Sequence, residues 1–202
     1  ANDNFVKSIS MILDKVPKKV KLILETSCNQ NNGIGGTIED LSEMEYQLCN
    51  YLGFDDITER TYVEWQEHFA VDSELDASHE ESMFNNFGTC MITDFPEFTS
   101  PFWNMSRHED GVHSKKIDVI LGGMETIGSA ERSTNVDQMR DTFHTITNGE
   151  YSQLLYNLFG KDRVEAELEK FLSFDFFPRV GGGIGMTRMI SALEKCNIIL
   201  DA

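Results

Sequence analysis

The sequence is poor in positive charge and has no long apolar segment. Its 202 residues include 17 Lys and Arg against 34 Asp and Glu, which gives a formal net charge of −17. Such a chain repels polyphosphate over most of its surface, so contact with nucleic acid would require a small basic patch or a further segment. A membrane-spanning helix needs about 18 consecutive apolar residues, and neither such a run nor a secretory signal is present. These absences predict a cytoplasmic protein with no membrane partner.

The few cysteines do not form a recognisable pattern. Cys28, Cys49, Cys90 and Cys196 are scattered without CxxC spacing, so a zinc site is not expected and a reduced chain is favoured over a disulfide framework. Hydrophobic residues make up 40% of the sequence, which is enough for a core. The length predicts one domain, or one and a half, over residues 1–202. Because the sequence does not begin with Met, we expect it to be a portion of a longer chain.

The first third of the sequence is predicted to be mainly helical. Apolar residues recur at helical spacing from Phe5 to Val16, and two further amphipathic helices are expected over Thr37–Leu52 and Thr61–Phe69. Residues 26–36 are polar and rich in glycine, which predicts a flexible loop. This loop lacks the Lys-Ser/Thr pair of a phosphate-binding P-loop. The acidic segment 72–81 lacks the spacing of a calcium loop, so we interpret it as a solvated surface.

After residue 88 the pattern changes to strands, and then to helices. The paired residues Asp110-Gly111 and Gly122-Gly123 are typical of tight turns between strands. An antiparallel sheet flanked by helices, an α+β fold, is therefore expected. The predicted strands are 88–96, 101–105, 116–121 and 124–132, and the predicted helical segments are 134–146, 149–172 and a C-terminal helix ending near Cys196.

Four closely spaced glycines precede the C-terminal helix. Gly181, Gly182, Gly183 and Gly185 allow the backbone to lie flat against a ligand, and Arg188 follows near the start of a helix. A guanidinium at that position can bind a phosphate with help from the helix dipole. A close-packed turn between a strand and a helix would use the same glycines, so this motif alone leaves both interpretations open.

A second group of charged residues lies on the predicted hairpin. Asp118 and Glu125 are seven residues apart and share a side of the sheet only if a turn or bulge intervenes, which Gly122-Gly123 can provide. Two carboxylates brought together suit Mg²⁺ that also binds phosphates. Arg132 could form a bidentate pair with a substrate carboxylate. Ordinary surface salt bridges are the alternative for these residues.

Taken together, these segments resemble the class II aminoacyl-tRNA synthetases. DVILGGMETIGSAER (118–132) followed by GGGIGMTR (181–188) is similar to the end of the catalytic domain in the aspartyl/asparaginyl branch, which includes ammonia-dependent asparagine synthetase. The stretch ITDFPEFTSPFWNM (92–105) resembles the preceding strand pair. The resemblance covers about residues 60–198 and implies the fold of the C-terminal portion of that catalytic domain. It also implies ATP, Mg²⁺, aspartate or asparagine, and a homodimer.

The resemblance also implies roles for individual residues. Asp118 and Glu125 would bind Mg²⁺, Arg188 would bind the γ-phosphate, and Arg132 would bind the side-chain end of the amino acid. Arg188 and Arg132 would therefore be the catalytic residues. The residues implied in ATP binding are Glu125, Gly183, Gly185, Met186, Thr187 and Arg188, and those implied in substrate binding are Arg132, Gly128 and Ser129.

Some features of the family are missing. The upstream Arg–acid motif that binds the α-phosphate is not found in residues 1–60, and neither the interface helix nor an anticodon-binding barrel is recognisable. Thr187 replaces the acidic residue common in the tRNA synthetases, whereas asparagine synthetase has a small hydroxyl residue there. Three functions remain open: activation of aspartate or asparagine for tRNA, bound through a region outside this chain; an asparagine synthetase-like ligase that uses ammonia; and a non-catalytic binding module.

Overall fold

A computed structural model of the protein describes residues 34–198, and these residues form one mixed sheet packed by helices. The strands are β1 (Ile34–Gly35), β2 (Thr58–Thr61), β3 (Cys90–Pro96), β4 (His113–Leu121), β5 (Met124–Arg132) and β6 (Arg179–Ile184). The strand order is β1-β6-β5-β4-β3-β2, and every neighbouring pair is antiparallel except β2 and β3. The predicted α+β class is confirmed, with one parallel pair in the sheet.

The helices begin and end at residues with the expected capping chemistry. Thr37 and Thr61 cap the first two helices, each within a capping box, and Gly53 ends the first with a φ of 89°. Asp76 caps the third helix, which the sequence interpretation missed within the acidic segment. The helices are α1 (Ile38–Leu52), α2 (Tyr62–Phe69), α3 (Ala77–Phe87), α4 (Val136–Thr145), α5 (Glu150–Phe159), α6 (Lys161–Leu172) and α7 (Met186–Lys195).

The two faces of the sheet carry different apolar clusters. On one face, α1 and α7 pack over a cluster that includes Ile117, Val119 and Val180. On the other face, α2 and α3 pack over the β3 side of the sheet, where Trp65 and Ile120 are completely buried. A third cluster joins α4, α5 and α6 around Trp103. The second face is therefore covered by helices beside β3 and becomes more open over β5 and β6.

The segment 101–105 is not the strand that the sequence predicts. Its aromatic side chains pack instead against the helical unit, with the Trp103 ring 5.4 Å from the ring of Phe143. The Arg107 guanidinium donates to the carbonyl oxygens of Met105 and Pro101 and so holds this segment in an irregular conformation. The segment forms no strand ladder: Met105 makes an isolated bridge to Arg132, and Arg107, just beyond the segment, makes another to Ser114.

Other differences are local. The predicted helical segment 149–172 is divided in two, because Gly160 has a φ of 85° and ends α5. Residues 34 and 35, which belong to the predicted loop 26–36, form β1 and pair with β6. Residues 26–33 and the predicted helix from Phe5 to Val16 lie outside the described residues. Within residues 34–198 no helix is both long enough and apolar enough to cross a membrane.

Candidate active site

The candidate site occupies the face of β4, β5 and β6 opposite α1. Asp118 pairs with Gly128 in the register of β4 and β5, and Gly128 pairs with Gly183 in the register of β5 and β6. These three residues form a row across the sheet. A Cβ atom built on Gly183 would have no heavy atom within 4 Å, so the surface of the sheet, which forms the floor of the candidate site, is open at this position. A flat, open glycine surface can accept the close approach of a ligand.

The hairpin turn brings Asp118 and Glu125 to the same side of the sheet. Gly122 and Gly123 form the turn with φ values of 61° and 89°, and the turn pairs Ile120 with Glu125. Glu125 therefore lies on the face that carries Asp118. A bulge next to this pair shifts the register by one residue, so that Gly128 stands opposite Asp118.

The two carboxylates converge above Gly128. A Cβ atom built on this glycine would lie 2.8 Å from Oε1 of Glu125 and 3.3 Å from Oδ1 of Asp118. Both oxygens therefore flank a single point that a side chain at position 128 would occupy. Gly128 is required here because it leaves this space to the carboxylates.

Asp118 is buried, and only one of its two carboxylate oxygens has a partner within residues 34–198. Its side chain forms an ion pair with Lys116 through Oδ2, while Oδ1 is buried and has no hydrogen-bond partner among the described residues. Burial raises the pKa of Asp118 to about 6, in opposition to the nearby Lys116 ammonium. A buried carboxylate oxygen without a partner is energetically costly, and a cation at this point would satisfy it.

The residues present therefore fit a divalent cation that completes its coordination from elsewhere. In the part of the chain that the structure describes, no three His, Cys, Asp or Glu side chains are grouped to bind a metal by themselves. Mg²⁺ usually takes only one or two protein carboxylates and fills its other positions with water and substrate phosphates. Asp118 and Glu125 provide such a pair.

Arg188 lies beside this pair of carboxylates. Its Nη1 atom donates to the backbone oxygen of Glu125 over 2.6 Å and lies 3.7 Å from the Glu125 carboxylate. The backbone N–H of Gly185 donates to the oxygen of Thr126 over 2.8 Å, which fixes the start of α7 against β5. About half of the Arg188 side chain is exposed, so its guanidinium remains accessible to a ligand. Met186 and Thr187, in the same first turn, are also exposed.

Arg132 lies at the other end of the same strand face. It donates from Nη1 to Oδ1 of Asn104 over 3.3 Å and from Nη2 to the oxygen of Gly181 over 3.1 Å. No carboxylate within residues 34–198 forms an ion pair with it. Burial and the neighbouring Arg179 lower the pKa of Arg132. A positioned guanidinium without an anionic partner can bind a substrate carboxylate in a bidentate pair.

Ser129 does not lie with the other predicted site residues. Its hydroxyl points to the α1 side of the sheet, where it donates to the buried Glu45 carboxyl and to the oxygen of Ile117. The side chains of adjacent strand residues point to opposite faces, so Gly128 and Ser129 cannot both line the floor. We therefore correct the predicted substrate contact of Ser129 and assign it to the packing of α1.

Sequence reasoning also missed two charged residues beside the carboxylates. Lys116 is two positions before Asp118, and this spacing in a strand could have identified it as a neighbour on the same face. Glu80 belongs to the acidic segment that the sequence predicts to be solvated surface, yet it is half-buried and its Oε2 accepts the backbone N–H of Glu125 over 2.8 Å. No local sequence signal indicates this contact, since it joins α3 to a distant hairpin.

Solved structures of synthetases have the same fold at low sequence identity. Asparaginyl-tRNA synthetase from Entamoeba histolytica, in complex with asparaginyl-adenylate, gives a TM-score of 0.61 at 15% identity, over 78% of this chain and 42% of that chain. Asparaginyl-tRNA synthetase from Pyrococcus horikoshii gives 0.60 at 16% identity, over 79% and 43%. Aspartyl tRNA synthetase from E. histolytica gives 0.59 at 15% identity, over 79% and 38%.

The chain thus spans about two fifths of the length of these structural relatives. No curated protein sequence matches it. The family model for tRNA synthetases class II (D, K and N) matches residues 4–202, which is nearly the whole sequence. The chain therefore belongs to the class II tRNA synthetase family that comprises the D, K and N enzymes.

Proposed function

We propose that this chain provides the C-terminal portion of a catalytic domain that activates aspartate or asparagine with ATP. The observation that carries the proposal is the convergence of Asp118 and Glu125 above Gly128, with one buried oxygen of Asp118 unpartnered. This pair lies between the Arg132 guanidinium, which has no carboxylate partner within residues 34–198, and the accessible guanidinium of Arg188. The two carboxylates suit the metal ion of ATP, and the two guanidinium groups suit the phosphates and the side chain of a small acidic or amide substrate.

The proposed reaction is the one that the resemblance to the class II synthetases implies. The α-carboxylate oxygen of the amino acid attacks the α-phosphorus of ATP, the bond to pyrophosphate breaks, and an acyl-adenylate forms. Arg132 binds the side-chain end of the amino acid, and Arg188 binds the γ-phosphate, which leaves within pyrophosphate. Gly128, Gly183 and Gly185 let the ligands lie against the backbone.

Positioning and charge neutralisation account for this chemistry without a protein nucleophile. Asp118 and Glu125 would hold Mg²⁺, which when bound neutralises phosphate charge during the attack. Lys116 keeps the remaining oxygen of Asp118 in place through its ion pair. Met186 and Thr187, exposed at the start of α7, are proposed to contact the nucleotide.

The proposed acceptor of the acyl group is the terminal hydroxyl of a tRNA that binds through a region outside this chain. A ligase that transfers the acyl group to ammonia is the second candidate, and the net charge of −17 favours it. A non-catalytic binding module is the third, since no upstream Arg–acid motif is recognisable in residues 1–60. A cytoplasmic homodimer is part of the proposal in the first two cases.

ATP–pyrophosphate exchange with the complete gene product tests the proposal. With Mg²⁺ present, exchange that depends on either aspartate or asparagine would support adenylate formation and identify the substrate. Transfer to tRNA or to ammonium would then distinguish the first two candidates. A folded protein that binds ATP but catalyses no exchange with either amino acid would contradict the proposal and favour the binding module.

A further inference from the structure

Glu125 is held at both ends of its backbone by side chains from two different helices. Its N–H donates to Oε2 of Glu80 on α3 over 2.8 Å, and its carbonyl oxygen accepts from Nη1 of Arg188 on α7 over 2.6 Å. Arg188 already has a proposed role with ATP, whereas Glu80 has none. The carboxylate of Glu125 points toward the metal position only if this backbone segment keeps its orientation.

The hairpin turn next to Glu125 is packed tightly between the same two helices. A Cβ atom built on Gly123 would lie 3.3 Å from Cα of Glu81 in α3, and one built on Gly122 would lie 2.9 Å from Cα of Ala192 in α7. Lys195 of α7 also donates to the oxygen of Gly122 over 2.8 Å. Because α3 contacts the turn directly, Glu80 is placed within reach of the Glu125 N–H by packing.

Glu80 is not placed there as an ordinary surface carboxylate. It is half-buried, and its Oε2 atom accepts the backbone N–H of Glu125. The charges around it are mixed: Glu125 is repulsive, while Arg188 and Lys116 are attractive. A half-buried acid that accepts one backbone N–H next to two other acids is costly to maintain, so a structural purpose at this point is indicated.

We propose that Glu80 is a positioning residue, which orients the Glu125 carboxylate for metal-bound ATP by accepting the Glu125 backbone N–H. The link to metal-bound ATP rests on the proposed function, whereas the hydrogen bond between Glu80 and Glu125 is observed directly. Glu80 itself is not assigned as a metal ligand or as a contact of the substrate. Its effect is expected on the metal and nucleotide end of the site and not on the amino-acid end at Arg132.

The test compares two substitutions of Glu80 with one control. Glu80→Gln keeps an oxygen that accepts the N–H and removes the charge, whereas Glu80→Ala removes the acceptor. Glu81→Ala, the next residue on α3, is the matched control because Glu81 is exposed. The first readout is the exchange rate of the Glu125 amide proton, measured by NMR in the protein without ligands. Thermal unfolding of each variant establishes that it is folded.

We expect Glu80→Ala to speed exchange of the Glu125 amide about tenfold, the effect of one lost hydrogen bond, while Glu80→Gln and Glu81→Ala remain close to the parent. The second readout is the Mg²⁺ dependence of ATP binding and of pyrophosphate exchange. Glu80→Ala should raise the half-saturating Mg²⁺ and ATP concentrations about tenfold and leave the KM for the amino acid unchanged. Glu80→Gln should restore the parental values.

The outcomes separate this inference from the proposed function. If the parent binds Mg²⁺ and ATP and Glu80→Ala behaves like the parent, the positioning role is wrong. If Glu80→Gln is as impaired as Glu80→Ala, the charge of Glu80 matters and the hydrogen bond does not, which also overturns the inference. If the parent catalyses no exchange, the proposed function fails, and the amide and binding measurements still decide the role of Glu80.

Discussion

Asp118 and Glu125 approach each other above a glycine, and the absent side chain of Gly128 makes this possible. Their oxygens lie 3.3 Å and 2.8 Å from the position that a Cβ atom would take. The hairpin turn sets the face on which Glu125 lies, and the bulge in β5 sets which residue stands opposite Asp118. The cation site is thus defined by backbone geometry as much as by its two acids.

Gly128→Ala is expected to impair metal binding more than folding. The new methyl group would displace the end of the Glu125 side chain, which can rotate away, so we expect a change in the free energy of unfolding below about 1 kcal/mol. The displaced carboxylates would raise the Mg²⁺ concentration that ATP binding requires by about tenfold or more, since coordination geometry is strict. Calorimetric titration with Mg²⁺ and ATP measures this.

Gly183→Ala is the control for that prediction, because its methyl group would point into open space. It should leave the Mg²⁺ requirement unchanged and weaken ATP binding, because the nucleotide is proposed to lie against the strand at Gly183. Equal Mg²⁺ requirements in Gly128→Ala and the parent would show that the two carboxylates do not act together.

Arg132→Ala and Arg188→Ala are expected to affect different substrates. Removing a charge-assisted hydrogen-bond donor costs about 2 kcal/mol of binding free energy. Arg188→Ala should weaken ATP binding by about one order of magnitude or more with little effect on the amino acid. Arg132→Ala should weaken amino-acid binding in the same range and affect ATP less. Equilibrium binding of each ligand to each variant separates the two effects.

Asn104→Ala is a suitable control for Arg132, since it removes a partner of the guanidinium and keeps its charge. The proposal that Arg132 and Arg188 serve one site is wrong if both variants are folded and bind ATP and the amino acid as the parent does.

Local sequence signals predicted most of the strands and helices. The turn signals Asp110-Gly111 and Gly122-Gly123 predicted the strands beside them. The structure gives β5 the predicted bounds of 124–132, whereas β4 begins at His113, three residues before the predicted start. Thr37 and Gly53 likewise predicted the limits of α1. Turns and helix ends depend on residues that are close together in the sequence, so they can be predicted from a single sequence.

Contacts between distant segments could not be predicted in the same way. Phe102 and Trp103 look like strand residues, but their rings pack on Tyr151 and Phe143, in helices 49 and 40 residues later. The bulge in β5 changed which of Gly128 and Ser129 faces the site, and no residue type signals this shift. The acidic neighbourhood of Glu80 indicates solvent exposure, whereas packing of α3 on the hairpin leaves it half-buried.

Ser129→Ala distinguishes the structural assignment from the role that the family resemblance implies. Because Ser129 points to α1, this variant should bind ATP and the amino acid with parental affinity. It would, however, leave the buried Glu45 carboxyl without its hydroxyl donor, and we expect a loss of about 1–3 kcal/mol in the free energy of unfolding. Chemical denaturation and ligand titration measure the two quantities. A KM for the amino acid that rises without loss of stability would return Ser129 to the substrate site.

Glu45 makes the stability of the fold dependent on pH. It is buried in α1, and one of its oxygens has no partner among the described residues. Burial raises its pKa from 4.5 to about 8. Between these two values the folded protein keeps a proton that the unfolded chain has lost, so this group's contribution to stability is complete below pH 4.5 and is lost as the pH rises toward 8.

Glu45→Gln is therefore expected to flatten the pH dependence of stability. The amide has nearly the same shape, still accepts from Ser129 and carries no charge at any pH. Each unit of pKa difference corresponds to about 1.4 kcal/mol, so the advantage of the variant over the parent should grow by at least about 1.5 kcal/mol between pH 5 and pH 7.5. Urea unfolding at both pH values measures this difference, and the other titrating groups largely cancel because both proteins share them. A constant difference across this range would mean that Glu45 is already ionised in the folded protein, and that α1 tolerates a buried charge behind the floor of the site.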